Sequence, residues 1–71
     1  MESLEMSKKE LLNFLKERLD YFINEEKNPF IETSMVSYIN NGIEKINSIN
    51  CDDNQLLKMY DINDEIVVEM I

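Results

Sequence analysis

Proton chemistry near neutral pH needs suitable side chains, and this sequence offers few. It has no His, the residue whose charge changes most readily in that range. Its single cysteine, Cys51, precedes Asp52 and Asp53. Their charge opposes the thiolate that a nucleophile requires. Glu25-Glu26 and Asp64-Glu65 are paired carboxylates. Neighbouring helical residues point about 100° apart, so on helices neither pair makes an acid–base dyad. The segment Asp61-Ile62-Asn63-Asp64-Glu65 faintly suggests a calcium loop, but Ile66 stands where such a loop needs Gly. Gly42 is the one glycine, so a Gly-rich phosphate loop is excluded. The expected catalytic, metal and cofactor sets are therefore empty, and the chain is expected not to be an enzyme.

What remains is surface charge. Acidic residues number 15 against 7 basic ones, a net of -8. This balance argues against a basic nucleic-acid binder and against anionic lipid surfaces. Divided along the chain, residues 1–27 hold seven acids and five bases, a net of -2. Residues 28–71 hold eight acids and two bases, a net of -6. Such charge serves solubility in a small domain. It also suits a basic partner surface that it would steer into contact. A DNA mimic is the special case in which that partner surface normally holds DNA.

The elements that position these groups must come from one small unit. Seventy-one residues, 44% of them apolar, suffice for a single domain and argue against disorder. A lone cysteine excludes a disulfide scaffold. A chain this short buries only about 60% of its unfolded surface, so self-association or a partner is the expected support. Residues 1–6 carry two Glu and no signal-peptide core, and are read as a flexible lead-in to a helical domain over 7–71. No apolar run approaches the roughly 20 residues of a membrane span. A cytoplasmic protein is expected. Nine Ile, nine Asn, no Ala and six Lys against one Arg suit AT-rich coding, as in a low-GC bacterium or its phage.

The periodicity predicts an all-α fold. Ser7-Lys8-Lys9-Glu10 reads as a capping box, with Met6 and Leu11 as its hydrophobic staple. A first helix over about 7–27 follows, with Leu11, Leu12, Leu15, Leu19, Phe22 and Ile23 on one face. Phe14 and Tyr21 widen that face to about 200°, more than one neighbouring helix needs. With Arg18 between them they form a candidate contact stripe. Asn28-Pro29 is a cap and first-turn pair for a second helix over about 29–49. Gly42 falls on its apolar face and predicts a close approach by another helix. Two short helices, about 53–60 and 64–71, are expected to close the hairpin, although Val and Ile in residues 65–71 also favour a strand, which would need an edge from another molecule. Their spacing resembles a helix-turn-helix, but Asp64, Glu65 and Glu69 would repel a polyanion. Tyr60, Asp61, Asp64, Glu65 and Glu69 form instead the candidate acidic contact set.

The function expected from these features is a small regulator or inhibitor acting through another protein, of the antirepressor, antitoxin, immunity or anti-defence kind. The alternative is a self-associating helical module, a homodimer. A DNA mimic or helix-turn-helix DNA binder ranks third.

Overall fold

Leu4 and Met6 alternate with polar residues, as do Leu57 and Met59, and this two-residue period places each pair on one side of a strand. The computed structural model of the chain describes residues 2–71. It contains β1 (Ser3–Ser7), α1 (Lys8–Asn24), α2 (Pro29–Ser48), β2 (Leu56–Ile62) and β3 (Glu65–Met70). The strands form one antiparallel sheet in the order β1-β2-β3. The helical hairpin covers one face of it, and the other face is open.

The all-α expectation is therefore wrong for two parts of the chain. Residues 3–7 are an edge strand rather than a flexible lead-in. The segments 53–60 and 64–71, expected as two short helices, contribute the two strands of a hairpin. Leu56-Leu57-Lys58-Met59-Tyr60 satisfies a helical and a two-residue period alike, and pairing decides between them. β2 lies between β1 and β3, with Leu57 opposite Met6 and Met70, and Met59 opposite Leu4 and Val68. Val67 and Val68 have the branched shape that packs well on such a surface. Asn63 and Asp64 turn the hairpin, both with positive φ, 53° and 63°. These residue types tolerate the left-handed region, and a two-residue turn of this hand matches the twist of the strands.

The two long helices lie close to their expected places. The Ser7 Oγ accepts from the Glu10 N–H at 3.2 Å. It also donates to Glu10 Oε1 at 2.9 Å, so the reciprocal half of the box uses the Ser7 hydroxyl. Asn28 Oδ1 accepts from the N–H groups of Phe30 and Ile31 at 3.0 and 3.4 Å. Lys8 Nζ donates to the Ile49 carbonyl at 2.9 Å. It thereby sets a cation at the negative end of α2 and ties the start of α1 to it.

The core comprises Leu11, Leu15, Phe22, Ile39, Ile46, Leu57, Met59 and Ile66. Helix α2 runs unbroken through Gly42, which is buried. A Cβ built there would lie 2.6 Å from the Ile66 δ-methyl and 3.2 Å from a Leu15 δ-methyl. The helix expected close to Gly42 is there, through Leu15 of α1, but the nearest neighbour is Ile66 of the strand β3.

A paired substitution tests this constraint. Gly42→Ala gains about 1 kcal/mol of helix propensity but must displace Ile66, and overpacking costs about 1–3 kcal/mol. It should destabilise by about 1 kcal/mol on balance. In an Ile66→Val background the obstructing methyl is gone, and Gly42→Ala should become neutral or stabilising. Urea midpoints of the four chains measure the difference. Equal destabilisation in both backgrounds would refute the steric reading.

Candidate functional site

A cleft of about 530 Å³ opens between the hairpin and one end of the sheet. Its wall includes Phe14 and Leu15 from α1, Met35 and Ile39 from α2, and Met59 and Ile66 from the sheet. Polar groups stand in the same wall: Arg18, Tyr38, Asp61 and Glu2. An apolar hollow with a few convergent polar groups is the usual form of a recognition site.

Beyond the cleft, the tip of the hairpin buries little. Past Arg18 and before Met35, Phe22 is the one buried residue. The Arg18 guanidinium lies 5.8 Å from the centre of its ring. The Tyr21 ring meets Phe22 edge-on at 5.1 Å between centres. Around this connection Tyr21, Ile23, Phe30 and Ile31 remain 49%, 49%, 83% and 45% exposed. Ile23, expected on the core face of the first helix, is thus at the surface.

Tyr38 and Asp61 form the polar feature of the cleft. The Tyr38 hydroxyl donates to Asp61 Oδ2, joining α2 to β2. A second hollow is walled by Ser34, Ser37, Asn41 and Asp64. Met35, Tyr38 and Asp61 border both hollows. The Tyr38–Asp61 bond therefore stands where the two hollows adjoin. Burial pushes the Tyr38 hydroxyl up to about 12, with further upward contributions from its hydrogen bond and charge interaction with Asp61 and from the Asp64 charge.

The expected contact residues divide between surfaces. Phe14, Arg18, Tyr60 and Asp61 border the cleft, and Asp64 borders the hollow beside it. Tyr21 does not join Phe14, because the two occupy different surroundings on α1. Glu65 and Glu69 lie on the open face of the sheet. There the rows run Glu5–Lys58–Glu69 and Ser3–Tyr60–Val67, and Lys58 Nζ sits 5.7 Å from the centre of the Tyr60 ring. The helical acidic face expected over residues 60–69 is instead split between the two sides of a sheet and its turn. Tyr38 and Met35 were absent from the expected contact set. Both stand on the apolar face of α2, where periodicity alone assigns them to the core.

Among the described residues no three of His, Cys, Asp and Glu come together as a metal site. No described helix is long and apolar enough to cross a membrane. No family model matches the chain, nor does any curated protein or solved structure.

The Tyr38–Asp61 pair carries a pH prediction. A hydroxyl whose folded-state pKa lies above its ordinary value stabilises the fold while protonated. That contribution is complete below pH 10.0, the ordinary tyrosine value, and disappears as pH rises towards about 12. Asp61→Asn should lower the Tyr38 pKa and shrink the alkaline loss. Ultraviolet titration of tyrosinate, with Tyr21→Phe and Tyr60→Phe to isolate Tyr38, measures it. An unmoved Tyr38 titration in Asp61→Asn would exclude the coupling.

Proposed function

We propose that the chain is a small non-enzymatic regulator or inhibitor of the cytoplasm that acts by holding a segment of another protein in this cleft. The supporting observation is the juxtaposition of an apolar wall, Phe14, Leu15, Met35 and Ile39, with Asp61 and the nearby Asp64. This chemistry fits an apolar anchor side chain flanked by a Lys or Arg. The anchor removes apolar area from water, at about 25 cal/mol per Å². The cation pairs with the carboxylates in a partly desolvated setting. Tyr38 supports binding rather than catalysis. With its pKa near 12 it stays protonated at neutral pH and serves as a donor instead of a base. The acidic balance of residues 28–71 favours a basic partner surface, and a surface that normally receives DNA is one instance of it. An antirepressor, antitoxin, immunity or anti-defence protein would act in this manner.

Affinity capture from expressing cells tests the reading. The wild-type chain should retain a protein that Met35→Lys and Asp61→Lys both release, with circular dichroism unchanged in at least one of them. Retention of no protein, or of one insensitive to both substitutions, overturns it.

Self-association is the second reading, favoured by the apolar tip formed by Tyr21, Ile23, Phe30 and Ile31. Sedimentation at micromolar concentration should then show a dimer that Phe30→Glu dissociates. A monomer for the wild-type chain removes this reading.

A further inference from the structure

We propose that the free edge of β3 is a strand-addition site for an extended, cationic segment of a partner protein. The ladder geometry carries the first step. The Ile71 N–H donates to the Leu56 carbonyl at 3.2 Å, which makes that pair a hydrogen-bonded one. Such pairs alternate along an antiparallel ladder. With Lys58 opposite Glu69 and Tyr60 opposite Val67, Glu69 and Val67 turn their backbone groups towards β2. Ile66, Val68 and Met70 turn theirs outward. Lys45 Nζ confirms this for Ile66 by donating to its outward carbonyl at 2.6 Å. The N–H and C=O groups of Val68 and Met70 have no partner among the described residues. Lys45 therefore already occupies one outward acceptor, at Ile66, and the outward groups of Val68 and Met70 stay open.

Charge selects the occupant. On the open face, the row Glu5–Lys58–Glu69 has one cation between two anions and ends on Glu69 at the edge. The row through Ile62 ends on Glu65. An added strand would extend both rows, so it should carry cations opposite Glu69 and Glu65, four residues apart. Between them, opposite Val67, an apolar or β-branched residue fits. On the helix-covered side, apolar residues would continue the rows of Val68 and Met70. A second copy of the chain suits this edge poorly. Antiparallel self-pairing centred on Val67 or Glu69 sets Glu opposite Glu, and centring on Val68 sets Glu residues diagonally. This surface is separate from the cleft, so either site can fail without the other.

The test uses the whole isotope-labelled chain and the peptide acetyl-Thr-Val-Lys-Val-Thr-Val-Lys-amide. Its control replaces both Lys by Glu. Titration should shift the Val68 and Met70 amide signals and slow their hydrogen exchange with the Lys peptide alone. Glu65→Gln combined with Glu69→Gln should weaken that peptide roughly fivefold, since each cross-strand charge pair is worth a fraction of a kcal/mol. These substitutions are exposed on the sheet and touch no part of the cleft. Three results would overturn the proposal: no response at Val68 and Met70, an equal response to the Glu peptide, or protection of this edge by self-association without peptide.

Discussion

The absence of a side chain at Gly42 is the constraint on which the layers depend. At that point α1, α2 and β3 meet, and the distances from a hypothetical Cβ to Ile66 and Leu15 leave no room for one. A mid-helix glycine lowers local helix stability. Here it lets a helix sit directly on a strand while a second helix closes from the side. Leu15 and Ile66, the two residues that crowd Gly42, also line the cleft. The floor of the candidate site and the closest packing in the core are thus one piece of structure. A change that spread the layers at Gly42 would alter the cleft as well as the stability.

The negative charge takes its meaning from the sheet. In the sequence, Asp61, Asp64, Glu65 and Glu69 form a single acidic run. Strand alternation separates them. Asp61 turns to the helices and holds Tyr38, Asp64 makes the hairpin turn, and Glu65 and Glu69 face solvent on the opposite side. Lys45 and Lys58, the two cations among residues 28–71, are both engaged. One holds the Ile66 carbonyl, and the other lies beside Tyr60 and between two glutamates in its row. The remaining acids then lie on two surfaces, the cleft around Asp61, which Arg18 also borders, and the β3 edge.

Much of the helical half was legible in the residues themselves. Ser7 with Glu10 and Asn28 with Pro29 mark helix starts because their hydrogen bonds are local, and such bonds form wherever the chain places them. The apolar period of α2 passes in phase through Gly42, so continuity of that helix and a close neighbour there could be read directly. Phe14, Arg18, Tyr60 and Asp61 could be selected as surface candidates. That all four border one cleft could not, since they come from segments far apart in sequence.

The sequence by itself thus determined the two long helices, their caps, the role of Gly42 and the acidic excess of the second half. Each depends on residue type or on spacing within one segment. Tertiary structure decided that residues 3–7, 56–62 and 65–70 are strands, because a strand has no hydrogen-bond partners inside itself and exists only in its pairing. Leu, Met and Lys in β2 are compatible with a helix. Only a first strand on one side and a β-branched strand on the other make the extended form the better one. The same pairing set Tyr38 against Asp61, left the outer backbone of β3 open, and turned one acidic run into two distinct surfaces.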